Sequence, residues 1–120
     1  QTPAARSFTV ATDTVAPATT IVAGPTGTVP LNSASFTWTG SDDRTPAGSL
    51  VYAFRLHPLE PTFSAFGRAT RRSYAGLPNG RTYTFYVKAR DLAGREDQTP
   101  AARRFTVSVP TTTVRAGTDR

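Results

Sequence analysis

Few residues in this 120-residue chain are suited to reaction chemistry. The single histidine, His57, stands beside Pro58. A histidine general base needs a nucleophile and an orienting carboxylate within reach, and no Gly-x-Ser-x-Gly elbow accompanies it. Cysteine is absent, which removes disulfides, thiolate metal sites and cysteine nucleophiles. No His/Glu/Asp spacing fits zinc, and no glycine-rich phosphate loop opens a helix. The chain is expected to be non-catalytic and to carry no cofactor.

Two binding chemistries remain. Asp13, Asp42, Asp43, Asp91, Glu96 and Asp97 make six of the eight acids and fall in polar stretches. Brought together, such oxygens are the ligands calcium takes. Arg44, Arg90 and Arg95 share those stretches, and plain surface ion pairing, at about 0–1 kcal/mol each, is the competing account. Carbohydrate binding would need an exposed aromatic platform, for which Tyr52, Phe63, Phe66 and Tyr86 are the candidates. Burial in a core or under a neighbouring domain competes for the same rings.

Net charge is +6, and 13 of the 14 basic residues are arginine. A charge of this sign suits a polyanion: nucleic acid, an acidic glycan or other polysaccharide, or lipid headgroups. The arginines are scattered from Arg6 to Arg120, however, and read as decoration of outward positions and loops. No basic run or aromatic–basic ladder of the kind that binds nucleic acid appears along the sequence, so nucleic acid is not an expected partner. No stretch approaches the roughly 18 apolar residues of a membrane helix. No charged-then-apolar leader is present, so a secretion signal is expected outside this sequence.

The elements that would position these residues read as strands. Tyr83, Phe85, Val87 and Ala89 alternate with Thr84, Tyr86, Lys88 and Arg90, the period-two pattern of a strand with one buried face. Leu77-Pro78-Asn79-Gly80 ahead of it supplies an apolar peg and a turn. Residues 33–40 alternate with Phe36 and Trp38 on one side, and 50–57 carry Tyr52, Phe54 and Leu56 on one face. Shorter strands are expected at 18–23, 70–74 and 102–109, the last with Phe105 and Val107 inward. Residues 62–67 read as a short edge segment, and Gly24-Pro25-Thr26-Gly27 as a turn. Pro58 and Pro61 break the third strand. No segment sustains a 3.6-residue period, so the chain is all-β, and the spacing of turn signals suggests a sandwich or barrel.

An internal repeat sets the organisation. Residues 1–10 match residues 98–107 at nine of ten positions, 97 residues apart, the length of one sandwich domain. A weaker echo relates residues 18–24 to 111–117. The division expected is therefore a last strand of a preceding or neighbouring unit at 1–10, a linker at 11–17 and a sandwich at 18–109. Residues 110–120 would be linker and the start of another unit. An isolated last strand exposes backbone donors and acceptors that must pair elsewhere. Phe8 and Val10, with their counterparts Phe105 and Val107, are the expected inter-unit strand residues. Tandem array and strand donation to another copy both fit.

Phe36-Thr-Trp38, the aromatic third strand, and Tyr74-x-x-Leu77-x-x-Gly80-x-x-Tyr83-x-Phe85-x-Val87-x-Ala89 together resemble a fibronectin type III domain or the similar bacterial immunoglobulin-like repeats. Asp13 to Ile21 and Asp91 to Pro100 resemble the two ends of those repeats. The resemblance implies an immunoglobulin-like sandwich of about seven strands, in sheets A-B-E and C-C′-F-G. Its core would contain Trp38, Phe36, Leu77, Tyr83, Phe85 and Val87. The Tyr83 hydroxyl would bond back to backbone near Leu77. The acidic loops would share one pole. The family implies a structural unit of a prokaryotic extracellular or cell-surface protein, partnered by adjacent repeats or copies of itself.

Overall fold

The structure is a computed structural model that describes residues 15–110. Two sheets pack face to face. One joins β1 (Ala18–Ala23), β3 (Ala34–Ser41) and β5 (Arg71–Tyr74) in the order β1-β3-β5. The other runs β2 (Gly27–Val29), β7 (Ala101–Val107), β6 (Thr82–Arg90) and β4 (Val51–His57). All pairings are antiparallel except β2 with β7, which is parallel over Gly27–Phe105 to Val29–Val107. The chain is an all-β sandwich.

The alternation read from the sequence is what closes it. On β6, Tyr83, Phe85, Val87 and Ala89 are buried and every intervening residue is at least partly exposed. On β3, Ala34, Phe36 and Trp38 are buried. Phe36 and Phe85 stack across the sheets with centroids 4.1 Å apart and planes within 7°. Trp38 lies against Tyr52, Phe54 and Phe85 at 5.6–6.2 Å. Its indole N–H finds no acceptor among the described residues, so its contribution is apolar. Leu77 is buried, and the Tyr83 hydroxyl donates to the Pro78 carbonyl at 3.2 Å. That bond pins the turn before β6 to the strand it feeds.

Two expectations need correction. Gly27 belongs to β2 rather than only to a turn, because the chain re-extends after Gly24 and pairs with the far sheet. Three residues are too few to show an alternation, so no period announced it. Residues 62–67 form no C′ strand. They meet β4 through the isolated Tyr52–Gly67 bridge and through Ser64, which exchanges hydrogen bonds with Phe54, and Glu60 serves the rest of that edge. Pro58 and Pro61 remove the donors a continuous strand would need.

β1 starts beside the β6–β7 loop, where Ala16 lines a cleft with Gly94, Arg95, Glu96 and Gln98. β7 ends at the other pole, where Gly80 N–H donates to the Val107 carbonyl and Val109 N–H to Asn79 Oδ1. The sandwich is therefore joined to the rest of the chain at opposite poles.

Two substitutions test this packing. Tyr83→Phe removes the turn-pinning bond and should cost about 1 kcal/mol, read as a melting temperature lower by roughly 4–8 °C; an unchanged melt would remove the bond from the account. Gly24 has φ +155°, and a Cβ there would lie 2.4 Å from Phe36 Cδ1. Gly24→Ala should cost about 1–3 kcal/mol in overpacking, and a melt as stable as the parent's would contradict that contact.

Candidate functional site

The outer face of the β2-β7-β6-β4 sheet holds an array of interacting cationic and aromatic side chains. Strand register sets it out. Arg55 on β4 stands opposite Tyr86 on β6, two residues along lies Lys88, and two further Arg90, all in the outward phase. Residues 61–67 fold back over this face and add Phe63 and Phe66. The result is a row of alternating rings and cations. Arg55 Cζ is 6.0 Å from both the Tyr86 and Phe63 centroids. Lys88 Nζ is 4.5 Å from Phe63 and 5.7 Å from Phe66, and Arg90 Cζ is 4.2 Å from Phe66. Each contact of this type contributes about 0.5–1 kcal/mol when exposed and more when desolvated.

The sequence reading missed this ladder. Its members spread along the sequence from Arg55 to Arg90, and only pairing of β4 with β6 aligns them. The signal that was present is the run Lys88-x-Arg90 in the outward phase, together with two phenylalanines in a segment too short for a core.

Lys88 also pairs with Glu96 at 2.7 Å. Neither Arg55 nor Arg90 has a carboxylate partner among the described residues. Arg55 Nη2 instead donates to Nδ1 of His57 at 2.8 Å. His57 is exposed, and its hydrogen-bond partner among the described residues is this arginine.

Of the aromatic platform candidates, Tyr52 is a correction. It is 3% exposed, packs against Trp38, and burial raises its hydroxyl pKa. Phe63, Phe66 and Tyr86 are half-buried on the outer face.

The acidic loops do share a pole: Leu92 N–H donates to Thr45 Oγ1 across them. Their carboxylates do not converge, and no group of three or more His, Cys, Asp or Glu side chains that could hold a metal occurs among the described residues. Asp42 accepts the N–H groups of Arg44 and Thr45, Asp91 that of Arg95, and Asp97 both donors of Thr99. Each organises its own loop, and Glu96 is drawn to Lys88. Asp43 lies exposed beside Asp42. Asp13 lies outside the described residues, as do Phe8 and Val10.

Arginine is not confined to outward decoration. Arg72 lies between Phe54 and Tyr74, at 5.3 and 4.7 Å, and donates to Glu60 Oε2 at 3.4 Å. Glu60 Oε1 accepts from the Tyr74 hydroxyl at 2.9 Å and from Leu56 N–H at 2.8 Å. Arg103 occupies an inward position of β7 and donates to the carbonyls of Gly24 and Ile21. Both guanidiniums find partners at the margin between the sheets.

No known protein family and no curated protein matches this sequence. Solved structures do. The extracellular domain of a hybrid two-component system of B. thetaiotaomicron matches with TM-score 0.55 and 23% identity over 68% of this chain. The extracellular domain of a one-component system of the same organism matches with TM-score 0.53 and 17% identity over 71%. The chain spans 11% and 12% of those two proteins. The fibronectin type III domain of human fibronectin type III domain containing protein 3 matches with TM-score 0.55 and 16% identity, covering 87% of this chain and 94% of that one. The fold is fibronectin type III-like.

The Glu60 cluster gives a testable titration. Burial first, and then the bond to the Glu60 carboxylate, push the Tyr74 hydroxyl well above its ordinary 10, against the pull of Arg72. A raised folded-state pKa means that the native state holds this proton more tightly. The stability it contributes is full below about pH 10 and declines above it, as the unfolded chain ionises first. Tyr74→Phe should lose roughly 1 kcal/mol at neutral pH and show a shallower decline in melting temperature from pH 9 to 11. An identical alkaline slope in both proteins would rule the group out.

Proposed function

We propose that this domain is a non-catalytic structural module of an extracellular or cell-surface protein, a spacer or fibre-building unit joined to like units through terminal strands. Two of the proteins whose structures it resembles contribute extracellular domains, and the sandwich enters and leaves at opposite poles, as end-to-end joining requires.

The observation that carries the reading is the ten-residue repeat compared with the surroundings of β7. The inward positions Ala101, Arg103, Phe105 and Val107 recur unchanged as Ala4, Arg6, Phe8 and Val10. Phe105 and Val107 are buried, and Arg103 donates to the carbonyls of Ile21 on β1 and of Gly24 just after it. Thr106, whose hydroxyl is 2.8 Å from that of Thr82, recurs as Thr9. The one difference, Ser7 for Arg104, falls at an exposed position. A segment that keeps every constrained residue of a last strand and varies only where the strand faces water is suited to the same slot in another sandwich.

The test is the double variant Phe8→Asp, Val10→Asp, compared with the parent by analytical ultracentrifugation and thermal unfolding. A parent that self-associates and a variant that is monomeric support donation between copies, the variant melting lower only by what association contributed. A monomeric parent and variant of equal melting temperature support pairing with a preceding unit of one polypeptide. A monomeric parent whose variant melts well below it would place the segment in the sandwich of Trp38 and overturn the reading.

A further inference from the structure

The geometry points to a binding site for an anionic sugar unit of a polysaccharide on the outer face of the β2-β7-β6-β4 sheet, centred on Arg55 and Tyr86. An open groove of about 420 Å³ lies there, lined by Arg55, His57, Phe63, Tyr86 and Pro100. Its size is within the range of small-ligand sites, and its open ends suit a unit within a longer chain.

Three features of the groove select the ligand. The first is charge without compensation. Glu96 neutralises Lys88 alone, leaving Arg55 and Arg90 with no carboxylate among the described residues. Arg55 Nε is buried and has no hydrogen-bond partner there either. A partly desolvated guanidinium without a counter-ion favours an incoming carboxylate or sulfate, to which its remaining N–H groups can donate.

The second is the pair of rings. Tyr86 and Phe63 flank Arg55 at equal distance, and aromatic faces pack against the C–H face of a pyranose. The Tyr86 hydroxyl makes no hydrogen bond among the described residues, leaving it available to a sugar hydroxyl. Rings beside an arginine fit a ring-shaped anion better than a bare phosphate, which would use the charge and leave the rings idle.

The third is preorganisation. His57 Nδ1 holds one Arg55 nitrogen, and the ladder of Phe63, Lys88, Phe66 and Arg90 holds the neighbouring side chains. Little rotamer freedom remains to be lost on binding. Were the ladder only a fastening for residues 61–67, Arg55 could be replaced without effect on any ligand.

The experiment is calorimetric titration of the whole chain with three oligosaccharides: tetragalacturonate, a heparin tetrasaccharide and neutral cellotetraose. One or both anionic sugars should bind, and the neutral one should not. Preference for tetragalacturonate identifies a carboxylate sugar, and preference for the heparin fragment a sulfated one; both support the site. Arg55→Gln and Tyr86→Ala should each weaken binding about tenfold, while Arg71→Gln, exposed on β5 of the other sheet, should change it less than twofold. Tyr86→Phe keeps the ring and should stay within about threefold of the parent, which decides the point if Tyr86→Ala melts early. No binding of either anion, an equal loss in Arg71→Gln, or unaltered affinity in Arg55→Gln would overturn the proposal. None of these outcomes depends on how terminal strands join units.

Discussion

The contact on which the structure turns is the Phe36–Phe85 stack. These rings belong to the central strands of opposite sheets, and they meet nearly parallel at 4.1 Å. Around them stand Trp38, Phe54, Tyr74 and Phe105, each within 6.3 Å of one or both. With no cysteine to cross-link it, the domain is held by this apolar layer. Several of its side chains, Phe36, Trp38, Tyr83, Phe85 and Phe105 among them, are essentially inaccessible to water. Fully burying a large apolar side chain contributes about 1.5–3 kcal/mol, which is why a small set of aromatic residues can hold two short sheets together.

A sandwich also has two open flanks, and here each is sealed by one charged side chain. Between β4 and β5, Glu60 accepts from Leu56 N–H, the Tyr74 hydroxyl and Arg72. On the other flank, Arg103 reaches from β7 to the Ile21 carbonyl of β1 and the Gly24 carbonyl just beyond it. The β4 edge is capped residue by residue: Tyr52 by Gly67, Phe54 by Ser64 and Leu56 by Glu60. An edge satisfied in this way offers little to a passing strand, which directs any joining of units toward a strand of defined sequence rather than toward casual edge pairing.

The segment that caps β4 has a second consequence. By crossing the outer face it brings Phe63 and Phe66 among Arg55, Lys88 and Arg90, and turns a plain solvated face into a row of rings and cations. Structural capping and the surface proposed for recognition thus arise from the same few residues. The architecture is fibronectin type III-like, while the outward side chains are this chain's own.

What the sequence determined by itself is whatever depends on a local period or on identity between segments. The alternation of β6 and β3 assigned Phe36, Trp38, Tyr83, Phe85 and Val87 to one face, because in a strand neighbouring side chains must point to opposite sides. Leu77-Pro78-Asn79-Gly80 announced the turn because its residue types limit the backbone. The repeat of residues 1–10 was visible without any structure. What only the tertiary structure decided depends on which segments meet. β2 is too short to carry a period, and its partner lies more than 70 residues away. The acids of the loops reached a common pole, yet local N–H donors claimed them individually. The ladder on the outer face exists because β4 and β6 pair in one register and residues 61–67 cross them, a convergence that no single stretch of the chain encodes.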